Sequence, residues 1–249
     1  MRQVLVIGIG AGDPDHVTVQ AVKAMATVDA FLVLDKGEEK SDLTDLRAEV
    51  LRRHVSHPYR VVRGRDPERA RVGGGDAYPD AVQDWRSRRA DETARMLGEV
   101  GETEVGAFLV WGDPSLFDST LAILTEVAER GELAFEVTVV AGISSVSALC
   151  AQHRIPLNRV GRPVQITTGR RLAEGWPEGV DDLVVMLDAH GAYAGVQDAE
   201  VHWGAYVGTA DEVLVSGRLP AVADEIRAAH EAGRARKGWI MDTYVLRRR

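Results

Sequence analysis

Cysteine is nearly missing from this chain. Cys150 stands alone among 249 residues, which excludes an internal disulfide framework and a zinc site built from several thiolates, and suits a reducing compartment. It lies in SALCAQHR, a helical pattern in which a packed thiol is the ordinary reading. Long apolar runs are missing too. None approaches membrane-spanning length, and the run that follows Arg2 breaks at Gly8, too early for a signal peptide. Aromatics make up 6% of the chain and the net charge is -8, which disfavours nucleic acid as the main partner. These absences predict a cytoplasmic protein with neither a membrane nor a nucleic-acid partner.

The common catalytic signatures fail as well. G-x-S-x-G needs a glycine at position 146, where Val146 stands, and H-E-x-x-H has no match among seven histidines scattered singly. No metal is expected. The nearest approach to a familiar motif is residues 4–14, VLVIGIGAGDP, where an apolar run empties into Gly8, Gly10 and Gly12. A dinucleotide fingerprint would need its third glycine at Asp13, and an acid there repels a pyrophosphate. The other phosphate cradle ends in Gly-Lys-Ser/Thr, but Lys40, the only lysine before a Ser or Thr, follows Glu39. The loop is therefore not read as a phosphate cradle, and its glycines allow either close backbone approach to a ligand or dihedrals that other residues avoid.

What the chain does have is the composition of a full core, 45% hydrophobic over a length that suits one large domain or two of ordinary size. Strand-like runs fall at 4–9, 30–35, 59–62, 105–111, 135–140, 164–168, 183–187, 202–207, 213–219 and 239–246. Helical spacing follows the first run with Thr18 as N-cap, recurs around Val82, Trp85, Met96 and Leu97, again over Leu116–Val127, and again from Pro220. On the second helix Asp84 and Arg88, and Arg88 and Glu92, are spaced to pair. Strand and helix alternate in the first half, whereas from about Pro163 the strands crowd together. The expected fold is therefore α/β in two lobes, residues 1–118 with a mainly parallel sheet and residues 119–249 with a mixed one. Arg63–Asp80, with four arginines before three glycines, reads as a basic loop.

Three strand ends share unusual punctuation: GIGAGDPD, then WGDPSLFDST, then AGISSVSAL. In an open α/β sheet ligands bind beyond the carboxyl ends of strands, so three such turns can converge on one crevice. Each alone is an ordinary capped turn.

Together, and in this order, the three turns resemble the tetrapyrrole methyltransferase family, and the resemblance spans essentially the whole chain. Segments such as VLDKGEEKSDLTDLR, RIPLNRVGRPVQITTGRRL and WGAYVGTADEVLVSGRL are similar to the branch that methylates precorrin-5 at C-1 and releases acetate. The resemblance implies two α/β lobes with the cosubstrate S-adenosylmethionine in the cleft between them, a precorrin substrate, no metal and a homodimer. It places donor contacts at Ala11, Trp111, Gly112, Asp113, Leu116, Ser144, Ser145, Met186, Val207 and Gly208. Asp113 would accept from the donor's ammonium, and Leu116, Met186 and Val207 would form a slot for adenine. Met186 taken alone reads as core. Ala141 departs from the family pattern, which often has Pro there.

Gly10 and Gly12 would lie against the macrocycle, with Lys36, Arg170 and Arg171 meeting its carboxylates. Arg63, Arg65, Arg69, Arg71 and Lys40 are further cationic candidates. Removing an acetyl group needs an activated water, for which Asp35 and Asp13 are the candidate carboxylates. Three rivals stay open at this point: a methyltransferase acting at another ring carbon or on another acceptor, a nicotinamide oxidoreductase, and a non-catalytic tetrapyrrole carrier.

Overall fold

The computed structural model describes residues 1–35, 41–68 and 77–248, with 41–44 and 77–82 described by backbone alone. The chain divides into two compact units, one of Met1–Gly10 with Pro14–Ile143, the other of Ala11–Asp13 with the chain from Ser144 onward.

The first unit is built on five parallel strands, β1 (Arg2–Gly8), β2 (Ala30–Asp35), β3 (Arg60–Arg65), β4 (Val105–Val110) and β5 (Phe135–Val140), in the order β3-β2-β4-β1-β5. The central strands are apolar at successive positions because both of their faces are covered. Leu5, Ile7 and Leu109 pack with α1 (Val19–Met25) and α2 (Ser41–His54). Val4, Val6, Phe108 and Val110 pack with α3 (Ala77–Gly98) and α4 (Thr120–Glu129). Thr18 caps α1 as expected, its Oγ1 accepting from the Ala21 N–H at 3.0 Å.

This arrangement places the first site. The chain leaves β1 toward α1 and leaves the neighbouring β4 toward α4, on the opposite face. The carboxyl ends of β1 and β4 therefore form the switch point at which α/β sheets open a crevice.

The second unit carries β6 (Val164–Thr168), β7 (Asp182–Met186), β8 (Glu200–Ala205), β9 (Val213–Arg218) and β10 (Asp242–Arg247), ordered β6-β7-β10-β8-β9. Only β6 and β7 run parallel, so the sheet is mixed as expected. One face buries Trp203, Tyr244 and Leu183 with α6 (Gly169–Glu174) and α7 (Leu219–Lys237). α5 (Ser145–His153) covers the other face, where its Leu149 fills the place that a Cβ on Gly204 would take. No helix among the described residues is long and apolar enough to cross a membrane.

Four expectations need correction. The units divide at Ile143/Ser144 and not at 118/119, because α4 belongs to the first core and β5 pairs with β1. The helix expected from Leu116 starts at Thr120, since Phe117 is left-handed (φ 51°) and the Asp118 carboxylate takes the Thr120 N–H at 2.7 Å. Arg63 and Arg65 lie in β3 and Ala77–Asp80 in α3, outside any loop. Asp84 does pair with Arg88 at 2.9 Å, but Glu92 pairs with Arg95 at 2.8 Å and accepts from the Arg65 N–H, so Arg88 is not its partner.

The second core contains a carboxyl pair with a pH signature. Trp203 Nε1 donates to Asp242 at 3.0 Å, and Asp188 accepts from the Tyr244 hydroxyl at 2.6 Å and the Ala192 N–H at 2.7 Å. Burial drives the Asp242 pKa up, the Trp203 hydrogen bond opposes this, and the nearby Asp188 adds to it, leaving Asp242 at about 7. A raised folded pKa stabilises below the unfolded value and loses that contribution as pH rises through about 7. Urea midpoints measured at pH 5 and pH 8 should therefore fall more for the wild type than for Asp242→Asn. Equal changes would remove Asp242 as the source.

Candidate active site

In the first unit three turns meet as expected, and they meet through backbone. A Cβ on Gly142 would stand 2.1 Å from the Gly112 carbonyl oxygen and 2.8 Å from Gly8 Cα, and one on Gly8 would stand 2.6 Å from the Gly142 nitrogen. Glycine at these positions is a packing requirement. Gly10 and Gly112 form an antiparallel bridge, with Gly112 N donating to the Gly10 carbonyl at 2.7 Å and Gly10 N donating back at 3.3 Å. Gly10 is also left-handed (φ 85°), and a Cβ there would meet His16.

Asp113 ties the second turn to the third. Its Oδ2 accepts the Gly142 N–H at 2.8 Å, while Oδ1 accepts the Ser115 N–H at 2.8 Å and the Ser115 hydroxyl. Burial raises the Asp113 pKa, but the Ser115 hydroxyl and the Gly142 and Ser115 N–H groups outweigh it, so the carboxyl sits below its ordinary range. Its role is therefore first to hold the two turns together, with one acceptor position left on Oδ2. Both polar groups of the Gly112 backbone take part in the bridge to Gly10. Trp111 and Leu116 are half-buried beside this turn, and among the described residues the buried Trp111 Nε1 has no acceptor.

The second unit gathers its own set at the carboxyl edge of β7 and β8. Met186 ends β7 and lies opposite Thr243 of β10, whose hydroxyl is 3.4 Å from that of Ser145. Ser144 caps α5, its Oγ accepting the Ser147 N–H at 3.1 Å. Beyond β8, Tyr206 is left-handed (φ 51°), Val207 is buried and Gly208 is left-handed (φ 81°). The Gly208 N–H is taken by the Glu212 carboxylate at 2.8 Å, a partner that sequence reading did not name. Ala11 is buried, and Gly12 (φ 146°) presses on this turn so closely that a Cβ would stand 2.6 Å from Thr209 Cγ2 and 3.0 Å from the Val207 carbonyl.

The residues expected to carry charge chemistry are less gathered. Asp35 is exposed at the end of β2, and Asp13 is half-buried within the second unit's tripeptide. Arg170 and Arg171 are exposed at the start of α6, and Arg171 pairs with Glu174 on its own helix at 2.6 Å. Arg63 and Arg65 are exposed along β3. Lys36, Lys40, Arg69 and Arg71 lie outside the described residues. No group of three or more His, Cys, Asp or Glu that could hold a metal occurs among the described residues.

A doubly wound first sheet whose glycine turns meet at its switch point and, in the same chain, a unit with a mixed sheet are together the architecture of a particular group of proteins. The profile of the Tetrapyrrole (Corrin/Porphyrin) Methylases matches residues 3–223, and the chain belongs to that family. Across its whole length it is 48% identical, over 252 aligned residues, to the deacetylating precorrin-6A synthase of a Sinorhizobium species, of which it covers 96%. Among solved structures it is similar to a cobalamin-synthesis-related protein, CobF, from Corynebacterium diphtheriae, with 35% identity, a TM-score of 0.83 and coverage of 100% of this chain and 99% of that one. A uroporphyrin-III C-methyltransferase from Thermus thermophilus, solved with S-adenosylhomocysteine, shares the fold at 18% identity and a TM-score of 0.60, covering 98% of this chain and 91% of that one.

Two substitutions probe the glycine junction. Gly142→Ala should cost on the order of 2 kcal/mol or more, read as a lower urea midpoint, because its Cβ meets backbone that cannot swing away. Asp113→Asn should also lower the midpoint at neutral pH. The native contribution of a depressed carboxyl is present above its unfolded pKa and lost as pH falls through the folded one. The deficit should accordingly shrink in acid, and a deficit constant with pH would contradict this role.

Proposed function

We propose that this chain transfers a methyl group from S-adenosylmethionine to C-1 of precorrin-5 and releases the acetyl group as acetate, giving precorrin-6A for cobalamin synthesis. The observation that carries it is the 48% identity, without loss of any part of the chain, to a deacetylating precorrin-6A synthase. The aligned length spans both sets of turns.

The donor is a diffusible cosubstrate whose sulfonium is already activated, so it needs no protein nucleophile. The residues fit it. The candidate donor contacts are Trp111, Gly112, Asp113 and Leu116, together with Ala11, Ser144, Ser145, Met186, Val207 and Gly208. The buried Trp111 N–H, without an acceptor among the described residues, is a hydrogen bond waiting for a ligand oxygen or nitrogen. Leu116, Met186 and Val207 would supply apolar contacts, and Gly10 and Gly12 are the candidates to lie against the macrocycle. The protein's contribution to methyl transfer is then to hold a ring carbon in line with the methyl group.

Acetate release has separate requirements. Water adds to the acetyl carbonyl, the bond between that carbon and the ring breaks, and its electron pair stays with the macrocycle. The methyl group enters as the electron-poor partner, and S-adenosylhomocysteine leaves. A carboxylate that takes a proton from the water assists, and Asp35 and Asp13 are the candidates. Arg170, Arg171 and Lys36 would meet the substrate's carboxylates, and the working form would be a homodimer.

Anaerobic incubation of the pure protein with precorrin-5 and S-adenosylmethionine, followed by mass analysis of the macrocycle and assay of free acetate, tests the proposal. A methylated product with an equal amount of acetate is expected. Methylation without acetate would move the reaction to another ring position, and donor binding without any turnover would point to another acceptor.

A further inference from the structure

A buried charged cluster in the first unit has no place yet in this account. β2 and β4 pair only at Ala30 with Gly106 and Phe31 with Ala107, and beyond these pairs their ladder stops. Two arginines reach the segment that follows, one from each face of the sheet. Arg47 of α2 donates through Nε to the Leu109 carbonyl of β4 at 3.0 Å. Arg89 of α3 donates through Nη1 to Ser119 Oγ at 2.6 Å.

Both cations are set in place. Arg89 and Asp66 form an ion pair at 3.0 Å, with side chains only 10% and 9% exposed, and the Arg89 guanidinium lies 5.0 Å from the Trp85 ring centroid. Burial lowers the Arg47 pKa, Asp118 raises it, and the neighbouring Arg89 lowers it, which places the two guanidinium groups in one electrostatic neighbourhood. Taking a charged pair out of water is expensive, and such pairs give modest net stability. What they provide is geometry: a guanidinium fixed by a buried carboxylate and a ring has little freedom left.

We infer that Arg47 and Arg89 are positioning residues for the loop between β4 and α4, clamping its entry at Leu109 and its exit at Ser119. The loop between the clamps carries Trp111, Gly112, Asp113 and Leu116, so the inference rests on their proposed role in donor binding. Asp113 fixes the middle of the loop and the two arginines fix its ends. Releasing an end lets the loop sample positions that a bound donor must then reorder, and the loss appears as weaker donor binding.

The test uses the full chain and S-adenosylhomocysteine as the probe, with calorimetric titration beside thermal melting. Ser119→Ala removes one clamp contact and leaves the buried ion pair whole. Arg47→Met removes the other, and Arg47→Lys checks whether a second cationic donor restores it. Ser119→Ala and Arg47→Met should each raise the Kd roughly three- to tenfold, the size of one lost hydrogen bond. The Tm of Ser119→Ala should stay within about 2 °C of the wild type. In turnover the donor KM should rise by the same factor while kcat changes less than about twofold. Arg89→Lys keeps a charge beside Asp66 and should repeat the Ser119→Ala effect without adding to it in the double variant. An unchanged Kd in Ser119→Ala and Arg47→Met overturns the inference even if Arg89 variants melt early. A wild type that binds no S-adenosylhomocysteine overturns the donor reading itself, which is a separate failure.

Discussion

Backbone packed directly on backbone governs the first unit. Gly8 and Gly142 approach each other and the Gly112 carbonyl more closely than a Cβ permits, so the turns after β1 and β5 meet there only because both positions are glycine. The other features of the switch point follow from this contact. With no side chains to interlock, the turns are registered by hydrogen bonds: the Gly10–Gly112 bridge on one side and the Asp113 carboxylate on the other. The switch point is thus formed by main chain held in fixed positions.

The second unit solves a similar problem differently. Its turn after β8 holds two left-handed residues, Tyr206 and Gly208, and is kept in that form from within by Glu212 and by Gly12 pressing from the other side. Tyr206 is further fixed through its hydroxyl, which donates to the Trp239 carbonyl at 2.6 Å. Non-glycine residues in left-handed backbone cost energy unless their surroundings over-determine them, and here they do. Both units thus spend internal hydrogen bonds on the shape of a turn and leave few backbone groups for a ligand.

Much of this was legible in the sequence because it is periodic or punctuated. Apolar runs buried on both faces mark β1 and β4, Thr18 marks the start of α1, and three strand ends with the same small residues mark one converging edge. The turns could be located, but the duties of their atoms could not. Asp113 reads as a ligand acceptor when only its motif is visible, whereas the fold directs it to Gly142, a residue 29 positions away. Arg89 was harder still. It follows Arg88 on a helix whose neighbouring charges pair on the wet face, and nothing local distinguishes the arginine that turns inward to Asp66. The delayed start of α4 left a sign, since an Asp two residues before Thr120 can take its N–H, but apolar periodicity from Leu116 outweighed it. Spacing along a chain reports which face a residue occupies, and it is silent about partners from distant segments.

The tripeptide Ala11–Asp13 belongs by its contacts to the second unit although both residues that flank it belong to the first. Gly12 is specialised for that membership, because its bare Cα lies against the Val207 carbonyl and Thr209. The two units are therefore not interchangeable modules. A recombinant chimera joined at Ile143/Ser144 with a relative's second half would inherit the wrong tripeptide, and any side chain at position 12 would strike the turn after β8. A graft that respects the fold has three junctions, and its shortest insert is three residues long.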